Sequence, residues 1–165
     1  PPAWNQEQDL GRSWAEGVRE RVARFPEQRA AIEAFDARWG ETVAGEIAGT
    51  VALQRRLRQA GVRLYALTNF SREKWAWSVE RFACLRDFDG VLVSAHEGLL
   101  KPDARFYRLL TTRFGVRPAR SVFVDDVPGN VDAAASVGFH GVQFTTPEAL
   151  EADLMRLGLL GLLGG

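Results

Sequence analysis

Ser121-Val122-Phe123-Val124-Asp125-Asp126-Val127-Pro128-Gly129-Asn130 reads as an apolar strand running into two adjacent carboxylates, a Pro-Gly turn and the start of a helix. Neighbouring carboxylates at a strand end repel each other, and in water-poor surroundings that is costly unless a cation is present. Mg2+ is the natural counter-charge: a hard ion, commonly held by one or two carboxylates together with a phosphate and water.

Working outward, Asn130 opens a helix to about residue 137, stopped by Gly138. Gly141-Val142-Gln143-Phe144 is a further strand, and helical residues 147–157 follow. Upstream, a helix over 49–60 stops at Gly61, and Val62-Arg63-Leu64-Tyr65-Ala66-Leu67 reads as a buried strand ending at Thr68-Asn69. Ser71 is placed to cap a helix toward Phe82, and Gly90-Val91-Leu92-Val93-Ser94 is the next strand. A loop with Lys101-Pro102-Asp103 then leads into a helix carrying Phe106, Leu109, Leu110 and Phe114. Strands alternating with helices of this length call for right-handed crossovers and a mainly parallel α/β sheet, with polar chemistry beyond the carboxyl ends of the strands. Thr68, Asn69, Lys101, Asp125 and Asp126 fall there. Lysine offers a compact charge for a phosphate, and the Thr68 hydroxyl and nearby amides can hold its oxygens.

Residues 4–39 read differently. Leu10, Trp14, Val18, Val22 and Phe25 recur at helical spacing, Pro26 breaks the run, and Ile32, Phe35 and Trp39 resume it, which predicts a helical hairpin with its tryptophans in ordinary packing. With 165 residues, 46% of them hydrophobic, the chain can bury one sizeable core. Lysine plus arginine balances aspartate plus glutamate at 21 each, so net charge gives no reason to expect a nucleic acid or a membrane surface as partner. Without an apolar run of about 20 residues or signal-peptide features at Pro1-Pro2-Ala3-Trp4, a cytoplasmic protein is expected. Met155 is the single methionine, so the chain is expected to begin inside a longer gene product. Cys84 has no second cysteine to pair with.

Taken in order, Leu67-Thr68-Asn69-Phe70, Gly98-Leu99-Leu100-Lys101-Pro102-Asp103 and Val122 to Asn130 resemble motifs II, III and IV of the haloacid dehalogenase (HAD) superfamily of hydrolases. The resemblance covers almost the whole chain and implies a three-layer Rossmann-like core over 46–165, with 1–45 as part of a helical cap. It implies that Thr68 binds a transferring phosphoryl group with Asn69 beside it and that Lys101 stabilises charge on nucleophile and phosphate. Asp126 would ligate Mg2+ directly, with Asp125 and Asn130 acting through metal-bound water or by orienting ligands. The expected substrate is a small phosphorylated metabolite, hydrolysed through an aspartyl-phosphate.

The family's motif I, a nucleophilic aspartate followed two residues later by an acid/base aspartate at the end of the central strand, has no counterpart here. Asp9 lies within a predicted helix, and no strand precedes Asp36. Asp87-Phe88-Asp89-Gly90-Val91 spells the motif, yet there the strand follows the aspartates, so Asp89-Gly90 is expected to turn the chain into that strand. Loss of the central strand leaves two inner sheet edges unpaired. Several unsatisfied buried backbone groups, at about 1–3 kcal/mol each, rival the whole stability of a domain, about 5–15 kcal/mol. A chain folding without that strand needs a substitute, for which a second copy in a homodimer is one source, and by itself it is expected to be inactive.

Three other readings compete. A receiver-type signalling domain has similar groups, but there the acidic pair leads and the lysine comes last. A 2-haloacid dehalogenase uses the same ester strategy without metal, and relatives of that type have uncharged groups where Asp125-Asp126 stands. A non-catalytic HAD-like interaction module rests on the absent nucleophile alone. His96 and His140 are expected to be bystanders in loops beside strands, and Arg63, Arg117 and Arg120 to be solvated.

Overall fold

The computed structural model describes residues 2–160. Its N-terminal part is three helices rather than a hairpin: α1 (Pro2–Asp9), α2 (Trp14–Arg24) and α3 (Arg29–Ala37). Gly11, with φ 109°, breaks the first from the second. Ser13 and Glu16 form a capping box that starts α2, and Pro26 opens a single 3-10 turn before α3.

The alternating part follows as α4 (Ala48–Gln59), β1 (Tyr65–Thr68), α5 (Arg72–Arg81), β2 (Gly90–Val93), α6 (Ser94–Glu97), α7 (Ala104–Phe114), β3 (Val122–Asp125), α8 (Pro128–Ser136), β4 (His140–Gln143) and α9 (Pro147–Arg156). All pairing is parallel, as expected. Tyr65 lies opposite Gly90 through Thr68 opposite Val93, and Val122 opposite His140 through Asp125 opposite Gln143.

The first strand is shorter than its apolar run. Leu64 meets the turn residue Asp89 instead: Asp89 N–H donates to Leu64 O at 2.7 Å, and Leu64 N–H donates to Asp89 Oδ2 at 2.7 Å. Asp89 therefore both turns the chain and extends the ladder. Ser71 occupies the N-cap position of α5 as expected, but its side chain caps nothing there; its hydroxyl accepts from Trp14 Nε1 at 2.7 Å.

Alternation along the strands builds two apolar layers. Leu92, Phe106, Tyr107, Leu110, Phe123 and Phe139 form one core, against which Tyr65 and Leu67 pack. Leu53, Leu57, Val142, Leu150 and Leu154 form the other, joined by Leu64 and Val122. Helices thus cover both faces of the strands, α7 and α8 on one side and α4 and α9 on the other.

Among the described residues the four strands form two separate two-stranded sheets, β1 with β2 and β3 with β4. The second edges of β1 and β3 carry no ladder. Every residue of β1 is only half-buried, and Val124 in β3 is 37% exposed, unusual for a strand in a parallel sheet flanked by helices.

Candidate functional site

Thr68 and Asp125 are the last residues of β1 and β3, so both lie at the carboxyl rim where parallel sheets gather polar groups. Between them runs a chain of hydrogen bonds joining the two sheets. Asn69 clamps the backbone of Lys101, donating from Nδ2 to its carbonyl at 3.0 Å and accepting its N–H on Oδ1 at 2.8 Å. With both ends of its amide engaged, Asn69 positions Lys101. The Lys101–Pro102 peptide is cis. Lys101 Nζ donates to Asp125 Oδ2 at 2.6 Å.

The other carboxylate oxygen of Asp125 accepts from Val127 N–H at 2.9 Å and Asn130 Nδ2 at 3.0 Å. Burial pushes the Asp125 pKa up, but the hydrogen bonds from Lys101, Asn130 and Val127 outweigh it and hold the group below the ordinary carboxylate range. The side chains of Lys101 and Asp125 are 12% and 4% exposed, so the ion pair is shielded from solvent.

Asp126 is the complement. It is exposed, and its carboxylate makes no hydrogen bond or ion pair among the described residues; its carbonyl accepts from Gln143 Nε2 at 3.4 Å. The acidic pair is therefore divided, with one member saturated by protein donors and the other free for a cation. One free carboxylate completed by phosphate and water matches the way Mg2+ is usually held. No group of three or more His, Cys, Asp or Glu side chains stands ready to hold a metal among the described residues, so a protein-only cage is not formed.

Thus Asn69, Lys101, Asp125 and Asn130 are linked directly, while Thr68 and Asp126 flank them as chain neighbours of Asn69 and Asp125. Two contributors were not anticipated. Tyr107, fully buried in α7, donates to Asn130 O at 2.9 Å, and burial and the charge of Asp125 push its pKa upward, keeping it a neutral donor. A phenol within the apolar stripe of Phe106, Leu110 and Phe114 was the available signal, since a buried hydroxyl needs a partner. Ser94, also buried, accepts from Phe70 N–H at 2.9 Å and fixes the chain just after Asn69. No local pattern marks it.

His96 lies in α6 and His140 opens β4, rather than in loops; both are exposed, as are Arg63, Arg117 and Arg120. No helix among the described residues is long and apolar enough to cross a membrane.

The chain is similar to several known proteins. Among solved structures, a HAD family enzyme from Bacteroides thetaiotaomicron, crystallised in complex with magnesium and inorganic phosphate, superposes over 85% of this chain and 73% of its own with a TM-score of 0.73 at 20% identity, a likeness of fold. A sesquiterpene phosphatase from Aspergillus oryzae is 35% identical over 106 residues, 64% of this chain and 54% of that protein. The mouse acyl-CoA dehydrogenase family member 10 is 34% identical over 104 residues, 62% of this chain and 9% of that protein. The chain therefore spans about half of the fungal enzyme and a small part of the mouse one. Residues 2–138 match the family described as haloacid dehalogenase-like hydrolase, and the chain belongs to that family.

Proposed function

We propose that this chain carries the phosphate- and Mg2+-binding half of a phosphatase acting on a small phosphate ester. The observation that carries the reading is the split acidic pair: Asp125 is held by Lys101 and Asn130, which leaves Asp126 free. In this reading Asp126 ligates Mg2+, Asp125 and Asn130 orient the rim, and Thr68 donates its hydroxyl to a phosphoryl oxygen. Lys101, set by Asn69, lies within reach of the same phosphate, whose arrival would share the ammonium with Asp125. When bound, the ion neutralises phosphate charge and favours attack at phosphorus. The 35% identical sesquiterpene phosphatase supports phosphate-ester chemistry.

The attacking group belongs between β1 and β3. A strand seated there would satisfy both free edges and bring a carboxylate to the rim between Thr68 and Asp125, where an aspartyl-phosphate would form and be hydrolysed. Residues 1–45 serve as part of the cap over that site and 46–165 as its core. Haloacid dehalogenation is the weaker reading, because that chemistry has no use for the free carboxylate of Asp126.

The test is p-nitrophenyl phosphate hydrolysis by the full gene product with and without Mg2+. Activity should need the ion and fall at least about 100-fold in Asp126→Ala and in Lys101→Ala, the scale of losing one group that stabilises transition-state charge. Equal activity in Asp126→Ala and the parent would overturn the reading.

A further inference from the structure

Phe70 follows the Asn69 clamp directly, and its backbone is pinned to β2's end by Ser94 and Ala95. From it a row of rings leads away from the polar rim. The Phe70 ring lies 5.9 Å from Trp39 and 5.9 Å from Trp75, and Trp39 lies edge-on to Trp77 at 5.4 Å. Gly40 permits this approach, because a Cβ there would stand 2.3 Å from Trp77 Cζ2.

The row is less enclosed than the ring beside it. Trp14, which ties α2 to α5, is 6% exposed, whereas Phe70, Trp39, Trp75 and Trp77 all keep part of their surface in water. Aromatic surface left wet beside a polar anchor is the composition of a ligand site for a molecule with one charged and one apolar end. Two cations neighbour the row: Arg81 Cζ lies 4.1 Å from the Trp77 ring centre, and Lys74 is engaged by Asp36. Lys74 Nζ donates to the Asp36 carbonyl at 3.1 Å and to Asp36 Oδ1 at 2.6 Å, and sits 4.2 Å from the Trp14 ring centre. Lys74 therefore has little polar capacity left for the hydroxyls of a sugar phosphate.

We infer that the alcohol half of the substrate is apolar and lies along Phe70, Trp39 and their neighbours while its phosphate meets Lys101 and Asp126. The inference rests on the phosphatase reading and adds the substrate class: monoesters of hydrophobic alcohols.

Calorimetric titration of the 165-residue chain with Mg2+ present tests it, using inorganic phosphate, ethyl, butyl and hexyl phosphate, and glucose 6-phosphate. Affinity should rise along the alkyl series by up to about fourfold per methylene buried. Glucose 6-phosphate should bind no tighter than inorganic phosphate. Trp39→Ser should flatten the series relative to that variant's own inorganic-phosphate affinity, and Trp39→Phe, which keeps a ring, should preserve most of the slope. An alkyl series that is flat in the parent chain while inorganic phosphate still binds overturns the inference and leaves the phosphatase reading intact. Failure of inorganic phosphate itself to bind overturns that reading and the inference with it.

Discussion

The rim that joins the two sheets and the junction that joins the helical segment to α5 hold their parts together by opposite means. At the rim, Asn69, Lys101, Asp125 and Asn130 come from different elements and are linked by directional bonds of 2.6–3.0 Å around a shielded ion pair. At the junction, Trp14 meets Phe35 at a tilt and Trp39 meets Phe70 and Trp77 edge to face, with a few polar pins such as Trp14 Nε1 to Ser71 Oγ and Trp14 N–H to Glu73 Oε1. Aromatic packing is forgiving of small displacements, whereas a buried charge deprived of its partner is not. The rim suits fixed chemistry, and the junction suits a surface that adapts to what lies on it.

The contrast is broken most severely at Lys101. Lys101→Met would leave the Asp125 carboxylate buried without its cation and should cost about 3 kcal/mol in urea denaturation at neutral pH. The sign with pH follows from the depressed pKa of Asp125. Its stabilising contribution is present above the unfolded carboxylate value and is lost as pH falls through the lower folded value. The gap between parent and Lys101→Met should therefore close on acidification, and a gap that is constant with pH would contradict the ion pair.

At the junction the largest single effect belongs to the one buried polar pin. Trp14→Phe keeps an aromatic ring but strands the Ser71 hydroxyl, and should cost about 1–2 kcal/mol in the same measurement. Equal losses at Lys101 and Trp14 would erase the distinction drawn between the two regions.

The smallest effect sharpens the picture at α1. Asp9 is partly buried, and desolvation raises its pKa to about 6. A raised folded-state pKa favours the fold when the group is protonated, and that contribution is lost as pH rises through about 6. Asp9→Asn should thus stabilise the chain by about 1 kcal/mol at pH 7, discounted for solvent screening, and by nothing near pH 4. Paired urea melts at the two pH values check it.

What the sequence discloses of this molecule is what is local. The strand-end positions of Thr68, Asn69 and the acidic pair and the loop position of Lys101 follow from short apolar runs and the polar residues that stop them, and the parallel α/β fold follows from their alternation with helices. The split between α1 and α2 was also written locally, in Gly11 and the Ser13–Glu16 box, but the continuous helical spacing from Leu10 to Val22 overrode it. Other features depend on partners far along the chain. Ser71 looks like a cap until Trp14, 57 residues away, takes its hydroxyl. Asn69 reads as the neighbour of the phosphate-binding Thr68, and only the fold shows both ends of its amide bonded to the Lys101 backbone. Asp89 reads as a turn residue, and only the parallel register reveals that it also completes the ladder at Leu64.

Two adjacent aspartates divide the labour at the rim, Asp125 held by protein donors and Asp126 left for the ion. Calorimetric titration with Mg2+ in the presence of inorganic phosphate, on the parent chain and on Asp126→Ala, probes this division most directly. Saturable Mg2+ binding by the parent, lost in the variant while its fold survives, is the predicted outcome; indistinguishable binding isotherms for the two would contradict it.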